Sequence, residues 1–278
     1  MIKEILVCLE GSPSSDAALR TAISIVSTLR GRLVGLAVVD EPDIRAGAAV
    51  GIGGSAFKHE RDEALVADAH KRAAEWLGAF ERRCHDAKIS AYALEVVGRP
   101  TDSILEETDK HDLTVIGRDA NFRFETDSDD TKTREAILHK ATRPVLLVPE
   151  TARDLGTRVA IAYDGSNAAK RALTSFATSG LANGREVNVV SVDDSGSRAW
   201  EMAASGVELL KQQGIPASPH NVVSVMSNVE ALFGFAEKVG AGLLVMGAFA
   251  HSRIKHLFHG SATRGLVEKT TIPLYLQH

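Results

Sequence analysis

Leu243-Leu244-Val245-Met246-Gly247, the loop Ala248 to His259, Gly260-Ser261, a short helical stretch and Thr271-Ile272-Pro273-Leu274-Tyr275-Leu276 make up a pattern that the chain writes twice. The earlier copy runs Leu113-Thr114-Val115-Ile116-Gly117, a loop of similar length, a helix, and Thr142-Arg143-Pro144-Val145-Leu146-Leu147-Val148, with Asp130-Thr131 where the later copy has Gly260-Ser261. A buried strand, a glycine turn, a loop and a Gly-Ser pair opening a helix are parts that hold phosphates, because glycine admits the ligand to the backbone and helix N-terminal N–H groups face the anion. Only the later copy has all of them.

The copies also open alike. Ile5-Leu6-Val7-Cys8-Leu9-Glu10-Gly11-Ser12 precedes Ser14-Ser15-Asp16-Ala17-Ala18-Leu19, and Val159-Ala160-Ile161-Ala162-Tyr163-Asp164-Gly165-Ser166 precedes Asn167-Ala168-Ala169-Lys170-Arg171-Ala172-Leu173. Each reads as a buried strand, an acid at its end, a Gly-Ser turn able to cap a helix, and the helix. The copies are offset by 154 residues here and by 129 at the closing prolines, so the first carries an insertion of about 25 residues. The insertion follows the second strand (Leu33 to Val39): Asp40-Glu41-Pro42, a small-residue stretch from Ala46 to Ala56 that reads as a mobile surface loop, and a helix from about His59 to Ala87. Gly51-Ile52-Gly53-Gly54-Ser55 lacks the Lys-Ser or Lys-Thr and the preceding strand of a phosphate loop.

The second copy passes from Val187-Val192 into a helix from Arg198 to Gln213. A third strand (Ala91 to Val97; about Asn221 to Val225) and a helix (Thr101 to Lys110; about Asn228 to Val239) precede the fourth strand in each copy. Strict alternation of strand and helix predicts parallel strands joined by right-handed crossovers, and continuous apolar runs predict sheets buried on both faces. The expected architecture is α/β, two tandem doubly wound domains of five parallel strands each. Their expected bounds are 1–150 and 157–278, with a linker at 151–156. The apolar fifth strands, Val145 to Val148 and Leu274 to Leu276, are natural edges for pairing between halves or between chains. Two-fold packing within the chain is expected, and pairing of chains into a homodimer stays open.

Bulk properties bound the function. With 278 residues, 44% hydrophobic and 24% charged, the composition is globular, and a net charge of −4 argues against bulk nucleic-acid binding. No apolar run approaches membrane-spanning length, and the N-terminus runs straight into a strand, which reads as a cytoplasmic chain. Cys8 lies in a strand and Cys84 in a helix, as buried thiols rather than a disulfide or metal pair.

In a doubly wound sheet, ligands sit beyond the carboxyl ends of the strands where strand order reverses. The second-copy segments that meet there are Ala162-Tyr163-Asp164-Gly165, Val192-Asp193 and Met246-Gly247. Asp164 is suited to accept hydrogen bonds from a ribose or base, or to help hold a magnesium ion. The loop Ala248 to His259 has no acid and carries Arg253 and Lys255, whereas acids outnumber bases in Arg118 to Thr131, which would repel a polyphosphate.

The Gly247-x-x-Ala250-x9-Gly260-Ser261 stretch, with the strand ending in Asp164-Gly165-Ser166, resembles the universal stress proteins in their tandem form, and the resemblance covers nearly the whole chain. It implies an adenine-nucleotide alpha-hydrolase-like fold, ATP or ADP with Mg2+ as ligand, and a stress-response binder rather than an efficient enzyme. It also implies adenosine contacts from Ala162, Tyr163, Asp164, Val192 and Met246, and phosphate contacts from Gly247, Gly260, Ser261 and Ala262. Ala250 stands where the family's nucleotide binders have a second glycine, and it fails only if that position needs a positive φ or direct phosphate contact. Glu10 replaces the family's aspartate in the first copy and only Gly117 of its loop motif remains, so that site reads as empty or adapted to another ligand.

Plainer readings stand beside these. Gly247 is also explicable as a structural turn, His251, His256 and His259 as solvated rather than metal ligands, and Asp127, Asp129 and Asp130 as a solvated acidic loop. Neither Gly-x4-Gly-Lys-Ser/Thr nor Gly-x-Ser-x-Gly occurs, and no Ser-Gly-Gly-x-Asp-Ser pyrophosphatase-type loop is present. The alternative function is a non-nucleotide interaction or small-ligand scaffold that displays Asp40 to Ala56 to a protein partner.

Overall fold

The computed structural model describes residues 1–46, 55–122, 131–152, 154–224, 228–247, 267 and 270–277. The first half contains β1 (Glu4–Cys8), α1 (Pro13–Leu29), β2 (Arg32–Val39), α2 (Glu41–Ala46), α3 (Ser55–Asp86), β3 (Ser90–Val97), α4 (Pro100–Lys110), β4 (Leu113–Gly117), α5 (Thr131–Lys140) and β5 (Val145–Val148). The second half contains β6 (Arg158–Ala162), α6 (Asn167–Ser179), β7 (Glu186–Asp193), α7 (Gly196–Gln212), β8 (Ala217–Val223), α8 (Asn228–Lys238), β9 (Leu243–Gly247) and β10 (Leu274–Gln277). Both halves open on the same device: Ser12 accepts the Ser15 N–H at 3.1 Å, Ser166 accepts the Ala169 N–H at 3.1 Å, and each caps its helix from an extended conformation.

Among the described residues ten strands form one sheet in the order β3-β2-β1-β4-β5-β10-β9-β6-β7-β8. Every neighbouring pair is parallel except β5 and β10, which run antiparallel with Leu147 opposite Leu274, Leu146 opposite Tyr275 and Val145 opposite Leu276. The fifth strands therefore pair within the chain, as the expected two-fold packing requires. Two apolar clusters cover the two faces. One holds α1, α3, α6 and α7 against the sheet through Leu19, Phe80, Phe176 and Leu210, and the other holds α4, α5 and α8 through Ile104, Ile137 and Phe235. Both clusters run across the seam.

Three expectations change. The strand expected at Asn221 to Val225 is β8, Ala217–Val223, and it includes Pro219. Proline lacks the N–H a central strand needs, but β8 pairs only with β7 and forms the sheet's outer edge, where proline is tolerated. Within the insertion, Glu41–Ala46 forms a short helix anchored by the fully buried Ile44, and the long helix begins at Ser55 rather than His59. The rest of the expected surface loop, 47–54, lies outside the described residues. Cys8 and Cys84 are free and buried in clusters on opposite faces of the sheet. Burial pushes both thiols up, that of Cys84 to about 11. Among the described residues no helix is long and apolar enough to cross a membrane.

Candidate functional site

β6 pairs with β7 on one side and β9 on the other, so the connections leave it in opposite directions and its carboxyl end is the switch point of the second half. The structure brings Ala162, Tyr163, Asp164, Val192, Met246 and Gly247 to this end. Their roles differ. Ala162 and Met246 are buried on the α8 face, with Val192 packed against the same cluster. Tyr163 points to the other face, where a Cβ on Gly206 of α7 would come within 3.0 Å of its ring. Its N–H donates to the Val190 carbonyl at 2.9 Å, the Tyr163 carbonyl accepts from the Ser191 hydroxyl, and burial pushes the phenol up. Tyr163 is thus a core side chain, and of its main chain only the second lone pair of the carbonyl is left for a ligand.

Asp164 is half-buried. Its Oδ1 accepts the Ser166 N–H at 3.0 Å, which fixes the carboxylate beside the turn, and Oδ2 has no hydrogen bond among the described residues. Gly165 takes φ +74°, and a Cβ there would lie 2.7 Å from Met202 Sδ. A Cβ on Gly247 would meet the Ala168 carbonyl carbon at 2.5 Å and the Ala169 nitrogen at 2.6 Å, so the first turn of α6 rests directly on the end of β9. At the end of β7, Asp193 accepts the Ser195 N–H at 2.9 Å and two bonds from Arg198, at 3.0 and 2.6 Å. Those contacts, the backbone bond first, hold its carboxyl down at about 2.

The corresponding end of the first half is occupied by its own groups. Glu10 Oε1 accepts from the Ser12 N–H at 3.3 Å and from the Ser12 hydroxyl. The Ser14 hydroxyl lies 3.1 Å from that of Ser12 and accepts the Asp119 N–H at 3.1 Å, drawing the chain after β4 down onto α1. Ala120 and Phe122 follow into the core. Gly117 is a packing glycine like Gly247, since its Cβ would sit 2.7 Å from the Ser15 nitrogen. Arg118 reaches across the seam to donate to the Thr270 carbonyl at 2.8 Å.

Sequence reading missed Ser14, although the contrast of Ser14-Ser15 with Ala168-Ala169 was its signal. It also missed the large side chains over the two Gly-Ser turns, Met202 on Gly165 and Trp76 on Gly11, whose Cβ would lie 2.4 Å from the indole nitrogen. Ala250, Gly260, Ser261 and Ala262 lie outside the described residues, as do Arg253, Lys255, the three loop histidines and Asp127, Asp129 and Asp130. Among the described residues no cluster of three or more His, Cys, Asp or Glu is placed to hold a metal ion.

A family model described as the Universal stress protein family matches residues 1–149 and again 157–277. The chain is 26% identical over 286 residues to Universal stress protein Slr1230 of Synechocystis sp., across 98% of this chain and 99% of that protein. Its fold is similar to the crystal structure of a universal stress protein from Archaeoglobus fulgidus DSM 4304, with TM-score 0.72 and 18% identity over 99% of this chain and 95% of the other. A functionally unknown protein from Pseudomonas aeruginosa PAO1 matches with TM-score 0.57 and 15% identity over 99% and 92% of the two chains. At these identities the two structural likenesses are likenesses of fold.

Proposed function

The chain belongs to the universal stress protein family, and from that membership we propose that it is a cytoplasmic stress-response protein binding ATP or ADP at the carboxyl ends of β6 and β9. The observation that carries this reading is Asp164: it stands half-buried at the switch point with one carboxylate oxygen engaged by Ser166 and the other without a hydrogen bond among the described residues. That chemistry fits a ribose hydroxyl or a Mg2+ ion accompanying the phosphates. Ala162, Val192 and Met246 supply apolar surface at the same end of the sheet for an adenine ring, and Tyr163 supplies main chain. Gly247, Ala250, Gly260, Ser261 and Ala262 belong to the phosphate loop in this reading.

The first domain serves as a scaffold, because Ser12, Ser14 and Asp119 already satisfy one another where a ligand would enter. Occupancy of the second domain then acts as a signal to a protein partner rather than as a step in efficient catalysis. Isothermal titration with ATP and with ADP tests the reading. Wild type is expected to bind, and Asp164→Ala and Gly260→Asp to bind at least tenfold more weakly. Absence of binding by wild type, or equal binding by both variants, would sink it.

A further inference from the structure

A second pocket lies on the seam itself, away from the switch points and independent of the nucleotide reading. A cavity of about 200 Å³ opens between α6 and the entry to β5, walled by Tyr275, Ser175, Gln277 and Arg143. It shares Ser175 and Gln277 with an open groove of about 390 Å³ that ends at Lys170 and Arg171 on the first turns of α6. The walls are held in place: the Tyr275 and Ser175 hydroxyls lie 2.7 Å apart, and Gln277 Nε2 donates to the Thr142 carbonyl at 3.1 Å. Both halves contribute, so the pocket exists only because β5 and β10 pair.

Among the described residues the charge at this pocket is unbalanced. Arg143 at one end and Lys170 at the other make no side-chain hydrogen bond or ion pair among the described residues. The one acid on the wall among the described residues, Asp112, already accepts the Lys3 and Glu4 N–H groups at 2.8 and 3.1 Å through one oxygen. The Arg143 guanidinium and the Lys170 ammonium, with hydroxyls and a carboxamide between them, make a donor-rich environment for an oxyanion.

The duplication supplies its own comparison. At the matching positions across the pseudo-two-fold axis the chain has Ile272 for Arg143, Leu146 for Tyr275, Val148 for Gln277 and Asp16 for Lys170. Those four counterparts are apolar or acidic and Ser175 alone keeps a hydroxyl at its match, Thr21, so the two cations and the carboxamide belong to one side of the seam.

We propose that this seam pocket binds a small phosphorylated ligand, its phosphoryl group at Arg143 and its polar body along Ser175 and Gln277. Isothermal titration of the full chain with inorganic phosphate, glucose 6-phosphate and glucose tests it, alongside Arg143→Ile and Gln277→Val, which install the counterpart residues, with thermal melts to verify folding. Both phosphate probes are expected to bind, glucose at least tenfold more weakly than glucose 6-phosphate. Arg143→Ile is expected to lose at least tenfold, and Gly260→Asp to bind as wild type does. No binding of either phosphate probe, an unchanged Arg143→Ile, or glucose binding as tightly as its phosphate would overturn the proposal, as would loss of binding in Gly260→Asp, which would place the phosphate in the nucleotide loop. Phosphate-probe binding that persists in a chain that ignores ATP would overturn only the nucleotide reading.

Discussion

Gly117 and Gly247 stand at matching strand ends, and at both a side chain would run into the backbone of the helix that follows the first strand of its half. Sequence alone left Gly247 divided between a ligand role and a turn; its contact with Ala168 and Ala169 gives it a packing role whatever it binds. Gly247→Ala and Gly117→Ala are each expected to cost about 1–3 kcal/mol by forcing helix and strand apart. Urea denaturation checks this, and an unchanged midpoint in either variant would contradict it. Asp193 belongs to the same scale. Its carboxyl sits at about 2 when folded, against about 3.9 in an unfolded chain. Its stabilising contacts with Ser195 and Arg198 are therefore complete above about pH 4 and lost as pH falls toward 2. The stability gap between wild type and Asp193→Asn should shrink over that window, measured by denaturation at successive pH values; a constant gap would refute the assignment.

Among the elements, β8 shows where sequence reading slipped and why. Pro219 argues against a strand wherever both edges must bond, and only the strand order reveals that β8 has one free edge. Its missing N–H also blunts that edge against pairing with other chains. Pro219→Val is expected to increase concentration-dependent association, seen as a larger mass by light scattering, with little change in the unfolding midpoint. Helix α3 was legible as a helix but not as a lid. Its apolar spacing announced burial, whereas the seating of Trp76 over Gly11 and Phe80 over Gly35 depends on how α3 lies across β2 and β3.

At the scale of the whole molecule, the antiparallel β5–β10 junction turns two parallel sheets into one and lets each apolar cluster continue through both halves. Leu146, fully buried opposite Tyr275, is central to that junction. Wild type is expected to unfold in a single calorimetric transition. Leu146→Asp, which buries an unpaired charge at the seam, should split it in two as the halves separate. A single, merely lowered transition would mean that the halves are coupled chiefly elsewhere, for instance through Arg118 and Thr270. The linker also contributes at this scale, since Ala152 and Leu155 are buried in the core rather than leaving the halves loosely tethered.

The sequence by itself determined the duplication, the alternation of strand and helix, the parallel order within each half and the asymmetry of the two loops that follow the fourth strands. Those features are local: apolar runs, caps and glycines carry them within a few residues of one another. It narrowed the joining of the halves to the fifth strands, but both edges of a strand are written in the same residues. Only the tertiary structure decided that the pairing occurs within the chain, that Ser14 and Asp119 close the first switch point, that Tyr163 turns into the core, and that Arg143, Ser175 and Gln277 share one pocket. Each of these depends on contacts between residues far apart in sequence, set by how the helices and strands pack.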